Sequence, residues 1–144
     1  MGLMEKREVV TVFLRHDNHI LLLKRSDKSA TYQGQWGGIS GLLEVETPLM
    51  QACQEINEET GLDDGQYTLV SDGAILEVPA PELNTCWVIH PFLFDIIDPD
   101  LITLDESNES LQWVKAEEIH GIATVPALIK SLARCLERER NTRH

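Results

Sequence analysis

The sequence predicts a mixed α/β fold. Two features point to it: β-branched apolar runs stand on either side of a segment with helical periodicity, and the elements follow in the order strand, strand, helix, several strands, helix. Length adds a bound, since 144 residues lie close to the roughly 150 of one domain. One domain spanning 1–144 is therefore expected.

Glu8 to Arg15 is β-branched and apolar, and His19 to Lys24 follows the turn-forming pair Asp17-Asn18, so the chain opens with a β-hairpin. Arg25 to Gln35 is polar and long enough to cover a site, and it leads into Trp36-Gly-Gly-Ile-Ser-Gly41, whose glycines permit unusual backbone paths. Thr47 as N-cap, Pro48 at the first helical position and Gly61 as a stop bound a helix over 48–60. Strands are expected at Tyr67 to Leu69, Ala74 to Val78 and Cys86 to Ile97. The turn Ser71-Asp-Gly73 and the loop Pro79 to Asn84 separate them. Pro91 marks an edge or a bulge in the last of these. Leu111 to Val114 reads as a short strand and Ala116 to Ile119 as a helical turn. Pro126 to about Glu139 reads as an amphipathic helix with Leu128, Leu132, Cys135 and Leu136 on its apolar side. The charged tail from Glu137 to His144 is expected to fray.

Hydrophobic residues are 42% and charged residues 25% of the chain, which excludes wholesale disorder. No apolar run approaches the roughly 20 residues of a membrane span, and Met-Gly-Leu-Met-Glu-Lys lacks a signal-peptide layout. Cys53, Cys86 and Cys135 are widely spaced and suit reduced thiols better than a disulfide framework. A cytoplasmic protein is the expectation. With 12 Lys and Arg against 24 Asp and Glu, the net charge is −12, which disfavours a grip on nucleic-acid backbone. A polyanionic ligand would need a cation between it and this surface. The five histidines lack ligand spacing, so neither a zinc site nor a His-based triad is supported.

Within the 48–60 helix, Leu49, Ala52, Cys53, Ile56 and Thr60 form a core-facing stripe, while Glu55, Glu58 and Glu59 cluster on another face. Like charges at these spacings cost about 0.2–0.5 kcal/mol per pair, and the helix dipole disfavours anions in the last turn. That placement is poor for stability alone. A hard divalent cation such as Mg²⁺ or Mn²⁺ would remove the objection, because it prefers clustered carboxylate oxygens. A solvated acidic face is the plain alternative.

Gly41-Leu-Leu-Glu-Val-Glu46-Thr-Pro-Leu-Met-Gln-Ala-Cys-Gln54-Glu55-Ile56-Asn-Glu58-Glu59-Thr-Gly61-Leu62 resembles the Nudix box, G-x5-E-x7-R-E-U-x-E-E-x-G-U, in which U is a bulky aliphatic residue. The spacing matches from Glu46 to Leu62. Similar flanking features are the hairpin ending Leu22-Leu-Lys-Arg25, Trp36 ahead of the box, and Glu109 upstream of Trp113-Val and the Glu117-Glu118-Ile run. Two departures stand out. Four residues rather than five separate Gly41 from Glu46, and Gln54 occupies the arginine position, where it can hydrogen-bond but carries no charge.

The resemblance implies a Nudix fold, a mixed sheet sandwiched between helices. It also implies Mg²⁺- or Mn²⁺-dependent hydrolysis of a nucleoside diphosphate linked to another group, X. By position, Glu55, Glu58 and Glu59 would ligate the metal, with a main-chain carbonyl near Ser40 as an extra ligand. Glu58, Glu59 and Glu109 are the candidate catalytic carboxylates, with Glu109 as the loop glutamate. Arg25 and Lys28, with Lys24, are candidate phosphate contacts. Trp36, Trp87, Phe92, Phe94 and Trp113 are expected mainly in the core, with stacking on a base as the alternative. A small nucleotide-like diphosphate is the expected partner, with neither nucleic acid nor membrane, and the chain is compatible with a homodimer. The rival readings are a Nudix-fold binding or regulatory module that has lost turnover, suggested by Gln54 and the shortened loop, and an acidic interaction domain without metal.

Overall fold

The computed structural model describes residues 4–142. β1 (Glu5–His16) turns into β2 (His19–Arg25) through Asp17 and Asn18, both left-handed at φ 48° and 63°, as a tight hairpin turn requires. These two strands pair only at Arg15↔Ile20 and His16↔His19. Beyond that point they diverge, and the segment after the long loop crosses between them. β3 (Trp36–Gly37) pairs with β2, and β4 (Ile39–Leu42) pairs with Val9 to Val12 of β1. β7 (Thr85–Ile96) runs parallel to β1 from Glu5 to Arg15. β5 (Tyr67–Asp72) and β6 (Leu76–Ala80) each pair antiparallel with one end of β7, and β8 (Asn108–Val114) pairs with β2.

Two helices cover this eight-stranded mixed sheet. Because neighbouring side chains of a strand point to opposite faces, Val10, Val12 and Leu14 join Phe92, Phe94 and Ile96 in one core, against Ala52 and Ile56 of α1 (Pro48–Thr60). Phe13 and Leu93 point the other way and pack with Leu128, Leu132 and Cys135 of α2 (Leu128–Thr142). The expected sandwich is therefore present. Thr47 Oγ1 accepts from Met50 N at 3.1 Å, and Gly61, at φ 73°, ends α1 with its N–H on Asn57 O. The helix runs over the expected residues.

Several expectations are corrected. Leu49 is 40% exposed rather than part of the buried stripe, and the buried residues of α1 include Gln51 and Glu59. Gln51 Oε1 accepts from Glu44 N at 2.8 Å, so a polar side chain fills a position the apolar count missed. Pro91 is buried in a strand paired on both sides. It falls where the β6 and β5 ladders leave a gap opposite β7, and its carbonyl accepts from Gly73 N at 2.9 Å. The missing N–H thus faces an interruption and forfeits no ladder bond. Edge strand β6 continues through Pro79-Ala80, followed by a 3₁₀ turn over Pro81–Leu83. Phe92 and Phe94 are buried, while Trp36, Trp87 and Trp113 are only partly so.

The tail expected to fray from Glu137 is helical as far as Thr142; residues 143–144 lie outside the described residues. Arg15 holds Glu139 with two bonds of 2.9 Å and Asp95 with a third of 2.8 Å, tying the last turns of α2 to the sheet. Among the described residues no helix is long and apolar enough to cross a membrane. Glu139→Gln removes a part-buried charge from this network and is expected to cost about 1–3 kcal/mol. Urea denaturation reads this as a lower midpoint; an unchanged midpoint would mean that the end of α2 adds no stability.

Candidate active site

The last two turns of α1 carry three carboxylates with different surroundings. Ile56 and Thr60 face the core. Their neighbour Glu59 is drawn in with them to 7% exposure, while Glu58 stays in solvent and Glu55 is half-buried. Two donors meet Glu59: Asn108 Nδ2 at 2.9 Å and Ser40 N at 3.3 Å. Glu55 lies against β4, where a methyl group on Gly41 would overlap its carboxylate. Among the described residues, Glu55 Oε2 is buried without a hydrogen-bond partner.

Burial is the main reason both acids are hard to ionise. Desolvation, then the charges of Glu58, Asp105 and Glu44, push Glu55 up to about 7. Glu59 is pushed up to about 8 by desolvation and by Glu55 and Asp105, against the bonds from Asn108 and Ser40, which favour its anion. Asp105 reaches the pair because the loop before β8 is stitched to the end of α1: Thr103 N donates to Thr60 O at 2.8 Å and Asp105 N to Glu59 O at 3.3 Å.

The residues singled out from the sequence separate into two groups. Glu55, Glu58, Glu59 and Ser40 come together. Arg25 joins them, its Nη1 donating to Ser40 Oγ at 3.2 Å and its Nε to Thr31 O at 2.7 Å, and it feels the charge of Glu59. Gln54 donates to Glu58 Oε1 at 3.1 Å, one helical turn away, as a neutral brace. Lys28 is exposed on the loop between β2 and β3. Glu109 departs from expectation: it belongs to β8 at an irregularity in the β2 pairing, and its carboxylate meets Lys24 Nζ at 3.4 Å. Its neighbour Asn108 is the β8 side chain that reaches Glu59.

Asp105 and Asn108 are not singled out by the sequence, because composition cannot say which member of the polar run before β8 faces a helix two elements away. Gly41 is legible there as the glycine of the box, but not its close approach to Glu55. The shortened spacing at the start of the box also resolves. Five residues separate Ser40 from Glu46, so the chain has its full length there, with serine in place of the first glycine. Gly41 is required by close approach to Glu55 rather than by a left-handed backbone.

Among the described residues no three His, Cys, Asp or Glu side chains are gathered into a ligand-ready group. The donors nonetheless suit a hard cation: all are oxygens, two acids are held in low dielectric, and Glu55 Oε2 has nothing else to bind. A cavity of about 290 Å³ opens beside them over β1 and β7, bounded by Arg25, Tyr32, Ser40, Gly41 and Trp87. Trp87 Nε1 donates to Tyr32 OH at 3.0 Å, and the Arg7 guanidinium lies 5.8 Å from the Trp87 ring centroid. This leaves an aromatic wall with cations near both ends.

A family model described as NUDIX domain matches residues 4–135. No curated protein matches the chain significantly. Among solved structures, a MutT protein from Methanosarcina mazei Go1 is 21% identical at TM-score 0.74, with both chains covered completely. A C. elegans Ap4A hydrolase is 18% identical at TM-score 0.69, over 90% of this chain and 93% of the other. A bifunctional NMN adenylyltransferase/ADP ribose pyrophosphatase from Francisella tularensis, complexed with AMP and a Mn ion, is 20% identical at TM-score 0.77, over 95% of this chain and 43% of the other.

The raised acids fix the sign of a pH effect. Without metal, Glu55 and Glu59 hold protons in the folded state that they release on unfolding between their ordinary value of 4.5 and about 7 to 8. Their stabilising protonation is complete below that window and lost as pH rises through it. The melting temperature in EDTA should therefore fall from pH 6 to pH 8.5, and Glu59→Gln should flatten the slope. A melting temperature that rises over this interval in the wild type would contradict the assignment.

Proposed function

Because the chain belongs to the NUDIX domain family, whose members hydrolyse diphosphate linkages, we propose that its 144 residues form one Mg²⁺- or Mn²⁺-dependent pyrophosphohydrolase domain. It acts on a nucleoside diphosphate linked to another group, by water attack at phosphorus. The observation that carries this reading is buried Glu59 beside half-buried Glu55, with one Glu55 carboxylate oxygen enclosed and unpartnered near Gly41. A fold needing only stability has no use for that arrangement. The names of the Ap4A hydrolase and the ADP ribose pyrophosphatase agree with a nucleotide-derived substrate. Three free cysteines suit a reducing compartment, in line with a cytoplasmic protein.

In this reading Glu55, Glu58 and Glu59 hold the cation, with main-chain oxygen near Ser40 as a further donor. Held there, a divalent cation would supply charge neutralisation of the diphosphate and a lowered pKa for a water beside it. Asn108 and Ser40 N keep the Glu59 carboxylate turned in one orientation. Arg25 draws the phosphate chain toward Ser40 and offsets the charge missing at Gln54, while Lys28 meets phosphate from the loop above. Glu58 accepts the proton of the attacking water, since it is solvent-facing and Gln54 aligns it without neutralising it. Glu109 is ion-paired to Lys24 and takes no part in proton transfer here. The rings of Trp87 and Tyr32 offer a planar group a face beside the phosphates. A second reading, an impaired binding module, draws on Gln54 alone.

A panel of nucleoside triphosphates, dinucleoside polyphosphates and nucleoside diphosphate sugars with Mg²⁺ or Mn²⁺ tests the proposal. Turnover of at least one class is expected, and Gln54→Arg should change kcat only modestly. A wild type inactive on the whole panel, with Gln54→Arg active on any member, would establish the impaired module instead.

Millimolar Mg²⁺ or Mn²⁺ should raise the melting temperature by binding the folded state alone, and Glu59→Gln or Gly41→Ala should reduce the increase. No shift across a titration would remove the metal site.

Glu58→Gln should lower kcat by about 10²-fold or more, the usual size of a general-base contribution, while Glu109→Gln should change it by less than about threefold. The reverse order would return the proton-accepting role to Glu109.

A further inference from the structure

The 290 Å³ cavity is not the end of the open surface. Strand register lays two rows of side chains across one face of the sheet, Arg7–Trp87–Val78 and Val9–Ile89–Leu76, from β1 through β7 to β6. The cavity covers the β1 and β7 end of these rows. A second groove, of about 600 Å³, covers the β6 end between that strand and α2, and Val125 lines both spaces.

The second groove sets positive side chains against the chain's acidic balance. Lys130 and Arg134, four residues apart on α2, line it, and neither has an ion-pair partner among the described residues. The groove's carboxylate, Glu77, is already held by Lys6 at 2.7 Å. In a chain with twice as many acids as bases, two uncommitted cations on one cavity wall mark a place for an anion. Their position is built into the packing. A Cβ on Gly73 would lie 2.7 Å from Arg134 Cβ and 2.9 Å from Cys135 N, so the turn before β6 seats directly on this part of α2.

We propose that this groove binds a second phosphate monoester carried by the substrate, on the sugar of the nucleoside whose ring rests against Trp87. The substrate class is then a diphosphate built on a nucleoside phosphorylated at a second sugar hydroxyl. This inference rests on the diphosphate-hydrolase reading and narrows its substrate. The reacting diphosphate lies at Ser40 and the glutamates, and the extra phosphate lies beyond Val125 against Lys130 and Arg134.

The test is calorimetric titration of the full chain in EDTA, so that no metal contributes. The probes are adenosine and guanosine 5′-monophosphate and their 2′,5′- and 3′,5′-bisphosphates. At least one bisphosphate should bind about tenfold more tightly than its monophosphate, the size expected of a charge-assisted contact. K130Q/R134Q should abolish that gain and leave monophosphate affinity unchanged; both residues are exposed, and an unaltered melting temperature verifies the fold. Equal affinity for mono- and bisphosphates, a gain that survives in K130Q/R134Q, or no binding by any probe would overturn the proposal. So would a gain lost in Arg25→Gln instead. A failure here with turnover still seen on the diphosphate panel leaves the enzyme reading intact, whereas an inactive panel removes that reading whatever the titrations give.

Discussion

The organisation of this chain depends on one unfavourable placement: two carboxylates four residues apart on α1, one buried and one half-buried against the segment that joins the diverging strands. Removing Glu59 from water beside Glu55 costs free energy that no basic partner in direct contact repays, and both acids respond by holding protons near neutral pH. Much of the surrounding structure serves to tolerate this. Asn108 and Ser40 N donate to Glu59, Arg25 approaches through Ser40, and Gly41 gives up its side chain so that Glu55 fits against the strand. Under the proposed reading, a divalent cation held by these carboxylates would remove the conflict.

The fold brings these groups together because β1 and β2 pair only at their hairpin end. Their separation leaves room for the segment over 36–42 to pass from one strand to the other, and Ser40 and Gly41 thereby reach both the helix and the open face of the sheet. The same divergence exposes Trp87 and Val9 to the cavity on that face. Loop contacts close the arrangement: Ser26 Oγ donates to Glu106 O and Ser29 Oγ to Ser107 O, both at 2.6 Å, which ties the covering loop to the loop bearing Asp105.

What the sequence makes legible follows from the range over which each signal acts. The bounds of α1 are local, since Thr47, Pro48 and Gly61 cap it through bonds within one turn, and they could be read directly. The near-continuous apolar runs along β1, β2 and β7 likewise point to strands covered on both faces. The spacing of Glu55, Glu58 and Glu59 marks a site, but not that Glu59 is buried while Glu58 is exposed, because that depends on which face of α1 meets the sheet. Glu109 stands out in the sequence by its place upstream of Trp113, whereas nothing local singles out Asn108 or Asp105. The pairing of β8 with β2, a contact between residues some 85 positions apart, turns Asn108 toward Glu59. Pro91 misled for a similar reason, as the gap between β5 and β6 that accommodates it belongs to other strands. The end of α2 looked unprotected because Arg15 lies at the other end of the chain.

The central claim is that Glu55 and Glu59 carry protons at neutral pH until a divalent cation replaces them. It is tested most directly by counting protons released on Mg²⁺ or Mn²⁺ binding, by calorimetry at pH 7 in buffers of different ionisation enthalpy. The account predicts net release of about one proton per cation or more, declining toward zero by pH 9, when both acids have already ionised. Binding with no buffer dependence at pH 7 would contradict it.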